Sequence, residues 1–196
     1  MKQGFVKVAS ATPRIRVADP VYNAQVICEQ AKEAAEHGAK IVVFPELCIT
    51  GYTCNDLFLQ ELLLEKAKEA LLTIAEETGQ LETLFLVGLP VDKDGRLYNV
   101  AAVLYRGRIL GMIPKKNIPM YAEFYEGRHF TPGEETVTEY RLGKQVIPFG
   151  SNLLFRCEEL PELILGCELC EDLWVAEPPS TSVSYTHLTL PTILLV

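Results

Sequence analysis

The chain predicts an α/β layered domain, and three observations carry that expectation. Short continuous apolar runs of the kind buried on both faces, Ile41-Val42-Val43-Phe44 among them, alternate with two longer stretches of helical periodicity. Each helical stretch has its own start or stop signal. A tight-turn dipeptide, Arg106-Gly107, separates two further apolar runs and reads as an antiparallel hairpin. The resulting order, βαβαβββ followed by two more strands, is that of helices layered on a sheet.

In chain order, residues 5–10 read as the first strand. Asp19-Pro20 starts a helix, with Asp as N-cap and Pro in the first helical position, and Gly38 closes it. Residues 41–44 form the second strand and deliver Glu46 just past its end. Asn55 is expected to cap the next helix. Residues 60–78 carry Leu62, Leu63, Ala67, Ala70, Leu71, Ile74 and Ala75 at helical spacing with acids and lysines between, so this is a core-facing amphipathic helix ended by Gly79. Residues 84–89 return as a strand, 97–105 and 109–113 form the hairpin, and Lys115 lies just beyond it. Residues 152–156 and 163–167 read as two more strands, the second running into a turn and short helix at Cys170.

At 196 residues and 48% hydrophobic, the chain is long enough for one core and composed like an ordinary globular domain. The net charge of -8 and the scatter of basic residues argue against nucleic acid or an anionic membrane as partner and favour a small-molecule substrate. No run reaches the roughly 18 to 20 apolar residues that span a bilayer, and no apolar signal core follows Met1, so a cytoplasmic protein is expected. The six cysteines are too dilute for a disulfide framework and are expected to be free.

Three segments place one reactive residue each at the end of an apolar run: Phe44-Pro45-Glu46-Leu47, Pro114-Lys115-Lys116-Asn117-Ile118-Pro119 and Leu169-Cys170-Glu171-Asp172-Leu173-Trp174. They supply a carboxylate, an ammonium and a thiol, which are the base, charge stabiliser and nucleophile of cysteine amide hydrolysis. A thiol with a pKa of about 8.5 is mostly protonated at neutral pH and needs a base, which Glu46 can be. Lys115 and the backbone N–H of Glu171 could hold the oxyanion. Singly, each has a mundane reading: a solvated turn acid, a surface charge on Lys115 or Lys116, a core thiol. Their joint occurrence favours chemistry. A Cys-His arrangement fits poorly, because His37 ends a helix, His129 lies in a loop beside Arg128 and His187 falls near the C-terminus. Cys167-x-x-Cys170 is a lone pair with no second cluster, so no metal site is expected, and Cys28, Cys157 and Cys167 read as packing residues.

These motifs resemble the nitrilase, or carbon-nitrogen hydrolase, superfamily with its Glu-Lys-Cys triad. The likeness runs from about Gly4 to Ser180 and is strongest to the glutaminase-domain branch of glutamine-dependent NAD(+) synthetases. Phe44-Pro45-Glu46-Leu47-Cys48-Ile49-Thr50-Gly51-Tyr52 resembles the base motif, and Asn55-Asp56-Leu57-Phe58 is typical of that branch. Pro114 to Tyr121, with Phe124-Tyr125-Glu126-Gly127-Arg128-His129-Phe130, is similar to its lysine motif, and Cys170-Glu171-Asp172-Leu173-Trp174 with Pro178-Pro179-Ser180 to its nucleophile block. The resemblance implies an αββα sandwich, here C-terminally incomplete, with Glu46, Lys115 and Cys170 as catalytic residues. It places Glu123, eight residues after Lys115, as a supporting glutamate, and Tyr52, Tyr121 and Glu171 on the glutamine substrate. It implies no cofactor in this domain; ATP and Mg would belong to a synthetase domain that this chain lacks. Partners implied are L-glutamine, that synthetase domain and further copies of the full-length chain. A fragment alone is expected to be inactive or weakly active and to make no NAD. A stand-alone amidase or carbamoylase of the same superfamily, or a non-catalytic remnant, are the alternatives.

From Ser182 onward the chain contains no charged residue and resembles the conceptual translation of a sequencing adapter. The expected division is therefore a partial nitrilase-like domain over 1–181 and a foreign or artefactual tail over 182–196, the alternative for the tail being a hydrophobic final strand.

Overall fold

The computed structural model describes residues 5–181, so the division expected at 181/182 lies at the limit of the described residues. Seven strands make one sheet in the order β1-β2-β3-β4-β5-β7-β6. Strand β1 (Val8–Ser10) is followed by helix α1 (Pro20–Glu36), β2 (Ile41–Val43), a kinked 3-10 segment (Tyr52–Leu59), helix α2 (Glu61–Glu77) and β3 (Leu84–Lys93). Then come β4 (Arg96–Tyr105), β5 (Arg108–Pro114), a 3-10 turn (Glu126–Arg128), β6 (Thr138–Leu142) and β7 (Gln145–Phe149). A separate two-stranded ribbon, β8 (Phe155–Arg156) and β9 (Ile164–Leu165), precedes the 3-10 turn Cys170–Leu173.

Helix α1 begins as its sequence dictates: the Asp19 side chain accepts from Tyr22 N, and Pro20 occupies the first turn. Gly38 sits at φ 83 just after the helix, where a side chain would be strained. Helix α2 has no side-chain cap; Gln60 precedes it, while Asn55 is held inside the 3-10 segment at φ 50 and donates instead to Thr53 O. The expected cap at Asn55 is thus corrected by an intervening turn. Leu62 is likewise not a core residue but 69% exposed, because it falls on the outer side of the helix.

Both helices cover one face of the sheet. Ile27 and Ala31 of α1 and Ala67, Leu71 and Ile74 of α2 pack with Phe85, Val87, Leu89, Val100, Ala102 and Leu104. The alternate residues Leu84, Leu86, Ala101 and Val103 face the other way and meet Leu153, Phe155 and Leu169. A β-bulge between Val103 and Leu104 lets Ile109 and Met112 both join the helix-side core. Two-residue turns with positive φ at both positions, Asp94-Gly95 and Arg106-Gly107, close the β3–β4 and β4–β5 hairpins. The first of these extends β3 past Pro90, beyond its expected end. Strand β2 pairs with β3 only as far as Leu86, so Pro90 lies where β3 has a ladder partner on one side alone.

This topology explains where reactive residues collect. Strands β2, β3 and β5 run the same way, since β3 is parallel to β2 and two antiparallel steps separate it from β5. Their C-terminal ends share one edge, and Glu46 and Lys115 follow those ends. The turn after β2 also presses on the sheet: a Cβ at Gly88 would lie 2.3 Å from Leu47 N and 2.9 Å from Glu46 C. Gly88→Ala is therefore expected to lower the denaturant midpoint by an equivalent of about 1–3 kcal/mol, the usual penalty for overpacking. Unchanged stability would show that the Glu46 turn does not rest on this glycine.

Candidate active site

The Lys115 side chain is completely buried, with its Nζ 2.7 Å from Glu46 Oε1 and 2.7 Å from Glu126 Oε1. Asn99 of β4 lies between the same carboxylates, its Nδ2 donating to Glu46 Oε1 at 2.7 Å and Glu126 Oε2 at 3.4 Å. The Tyr52 hydroxyl donates to Glu126 Oε1 at 2.8 Å. Glu126 thus has both oxygens engaged, whereas Glu46 accepts on Oε1 alone among the described residues. One cation between two anions leaves the cluster with a net negative charge.

Each side chain is placed by a local device. Lys115 is held where β5 ends by its N–H donating to Asn99 O, and its own carbonyl accepts from Gly133 N. Glu46 precedes Leu47, whose φ of 52 turns the chain back so that Gly51 N reaches Leu47 O. Cys170 also has a positive φ, 47, a strained position for a non-glycine residue. Asp172, only 2% exposed, ties this turn to the lysine segment. It accepts from Leu169 N, from Asn117 N at 2.7 Å, from Asn117 Nδ2 at 2.9 Å and from Lys116 N. Lys116 itself points outward to Glu135.

The electrostatics set the resting protonation. Burial raises the Glu46 pKa above its ordinary 4.5, with Lys115 only partly opposing. For Lys115 burial pulls the other way, but Glu46 and Glu126 outweigh it and the ammonium is held charged beyond its ordinary range. The Cys170 thiol is raised, first by burial and then by the Glu46 charge, against which Lys115 acts. It rests as a thiol, so deprotonation needs a base. Burial raises Cys48 and Cys167 further, to about 12 each, which marks them as inert packing groups.

Of the residues expected from sequence, Glu46 and Lys115 are in direct contact, and their charges act on the Cys170 thiol. Tyr121, exposed, donates to Glu171 Oε2 at 2.7 Å, and Glu171 follows Cys170 in the chain. Tyr52 sits apart from that pair, on Glu126. Glu123 is a correction: it lies exposed in a turn, and the second carboxylate on Lys115 is Glu126. Nothing periodic in that loop distinguishes the two, and only the 3-10 turn, which aims Glu126 inward, decides. Asn99, Asp172 and Gly88 were not expected; Asn99 reads from sequence as one polar residue in a strand. His129 meets Asp56, not Cys170, and no group of three or more His, Cys, Asp or Glu among the described residues could hold a metal ion. The described cysteines are all free.

Residues 7–182 match the family model described as carbon-nitrogen hydrolase. The chain belongs to the carbon-nitrogen hydrolase family. Among curated relatives, the glutamine-dependent NAD(+) synthetase of Mycobacterium tuberculosis is 38% identical over 96% of this chain, and that of Thermotoga maritima 33% identical over 94%. The chain spans 28% of the length of each. Among solved structures, the glutamine-dependent NAD(+) synthetase of Cytophaga hutchinsonii superposes with a TM-score of 0.78 at 29% identity, covering 85% of this chain and 28% of that one. An amidase from Nesterenkonia shares the fold, with a TM-score of 0.55 at 24% identity over 73% of this chain and 54% of that one. This carbon-nitrogen hydrolase chain therefore has the α/β architecture of the family, and no helix among its described residues is long and apolar enough to cross a membrane.

The two glutamates make a direct contrast. Glu126→Gln removes one of the two carboxylates on a fully buried ammonium and is expected to destabilise the fold by about 1–3 kcal/mol, as for other buried charge-assisted hydrogen bonds. Glu123→Gln is expected to leave the thermal midpoint unchanged. Equal effects of the two substitutions would refute the placement of Glu126.

Proposed function

We propose that this chain is the glutamine-hydrolysing domain of a glutamine-dependent NAD(+) synthetase, acting through Glu46, Lys115 and Cys170. The observation that carries the reading is the Glu46 carboxylate held at 2.7 Å by the fully buried Lys115 ammonium, with both charges acting on the Cys170 thiol. The names of the relatives give the substrate class, and the chain's 28% share of their length corresponds to one domain of a larger protein.

The chemistry follows from those groups. Glu46 takes the proton from Cys170 Sγ as sulfur forms a bond to the side-chain amide carbon of L-glutamine. The electron pair displaced onto the carbonyl oxygen is held by the Lys115 ammonium and the Glu171 N–H. Collapse of this intermediate breaks the carbon–nitrogen bond, the proton on Glu46 passes to nitrogen, and ammonia leaves with a thioester on Cys170. Water then loses a proton to Glu46 and attacks the thioester, and sulfur departs with that proton, releasing glutamate. Tyr121 and Glu171, joined by a hydrogen bond next to Cys170, are in this reading the groups that meet the α-amino and α-carboxyl ends of glutamine. The ammonia serves a synthetase domain that takes ATP and Mg2+, and assembly of full-length chains belongs to the same reading. A cytoplasmic setting is part of it as well.

Ammonia release from L-glutamine tests the proposal. Glu46→Gln is expected to lower kcat by about 10²–10⁴-fold, the usual share of a general acid–base, and Cys170→Ala to abolish turnover. Because Glu46 must be ionised to act and its pKa is raised, kcat/KM is expected to fall on the acid side at a pH above 4.5, the ordinary value for this group. Ammonia release that survives Cys170→Ala, or a preference for simple aliphatic amides over glutamine, would overturn it.

A further inference from the structure

Between the two carboxylates of the site lies a side chain that the proposed reaction does not use. Asn99 is fully buried at 0% exposure, on β4 where its carbonyl accepts from Lys115 N. Its Nδ2 reaches Glu46 Oε1 at 2.7 Å and Glu126 Oε2 at 3.4 Å, while its Oδ1 has no hydrogen-bond partner among the described residues. Burying an amide with its oxygen unpaired carries a penalty that a leucine of similar size would avoid. What the amide supplies in return is two N–H donors aimed at carboxylates. With Lys115 Nζ also on Glu46 Oε1, both donors meet the same oxygen and leave Oε2 without a partner among the described residues.

We propose that Asn99 is a positioning residue that fixes the Glu46 carboxylate by its Oε1, so that Oε2 is the atom that takes the proton from Cys170. This rests on the reading of Glu46 as the base. The S–H bond of Cys170 breaks, the O–H bond forms on Glu46 Oε2, and Asn99 exchanges no proton. An amide donor favours the ionised carboxylate, and a lysine ammonium alone at Oε1 would leave the carboxyl group free to rotate about its last torsion. The groups facing Glu46 are Lys115 from the segment after β5, Glu126 from the 3-10 turn and Cys170 from the nucleophile turn, with Tyr52 behind Glu126. Only Lys115 and Asn99 donate to Glu46 among the described residues, so removing Asn99 shifts the balance toward the protonated acid.

Nuclear magnetic resonance of the isotopically labelled chain tests this without reference to turnover. The Asn99 side-chain amide, assigned by its loss in Asn99→Leu, should move with pH through the titration of the Glu46 carboxyl carbon in the wild type. That movement should vanish in Glu46→Gln. In Asn99→Leu the Glu46 carboxyl carbon should titrate at higher pH than in the wild type. An Asn99 amide that stays still while Glu46 titrates, or a Glu46 titration unaltered by Asn99→Leu, would overturn the proposal. Should Asn99→Leu not fold, the amide is assigned through its bonds to the Asn99 backbone, and the wild-type and Glu46→Gln titrations decide alone. A coupled titration beside a full-length parent protein that releases no ammonia from glutamine would sink the glutaminase reading and leave Asn99 in place. Turnover with an uncoupled amide would do the reverse.

Discussion

A buried ammonium shared by two carboxylates organises this molecule. Lys115 is wholly enclosed, and without Glu46 and Glu126 at 2.7 Å its charge would be untenable in that position. The dependence runs both ways, since removing the cation would leave two like charges facing each other; breaking such a buried pair costs about 3–5 kcal/mol. The three residues come from the end of β2, the end of β5 and a 3-10 turn, so the charge cluster also ties that turn to two strands that are not neighbours in the sheet. It pins chemistry and architecture together.

Two of the strained backbone positions flank that cluster. Leu47, next to Glu46, and Cys170 both hold positive φ, at an expense on the order of 1–3 kcal/mol each. Each strained turn has its own support. Leu47 is fully buried and lies against Gly88, and the Cys170 turn is bound to the lysine segment through the three hydrogen bonds that Asp172 accepts from Lys116 N, Asn117 N and Asn117 Nδ2. The opposite face of the sheet, by contrast, is only partly covered: Leu84, Leu86, Leu110 and Phe155 are half-buried there, while the helix face is closed by α1 and α2. Cys170 stands on this less covered side, near Leu169.

Glu46 and Lys115 were legible because apolar strands end just before them, Ile41–Val43 and Arg108–Pro114; Cys170 follows only a two-residue ribbon strand, Ile164–Leu165, shorter than the run 163–167 expected, and was found by its residue type in that frame. Both helices were legible for the same reason, their periodicity and the Asp19-Pro20 start being local facts. What was not legible is decided by tertiary contact. The β6–β7 hairpin escaped although Tyr140 and Leu142 alternate with Glu139 and Arg141 as in a half-buried strand; each run is only five residues long, and Pro148 within β7 argues against a strand there. Glu126 and Glu123 occupy one aperiodic loop, and nothing in three residues of sequence tells which faces Lys115. Asn99 and Asp172 are single polar residues whose importance lies wholly in what they touch.

Acid-quenched mass spectrometry of the full-length parent protein mixed with L-glutamine tests the central claim, that the base, ammonium and thiol act as one nucleophilic centre. The account expects a γ-glutamyl adduct on the peptide containing Cys170 and no adduct when Glu46 is replaced by Gln. An adduct on another cysteine, or one that forms on Cys170 equally well without the Glu46 carboxylate, would contradict it.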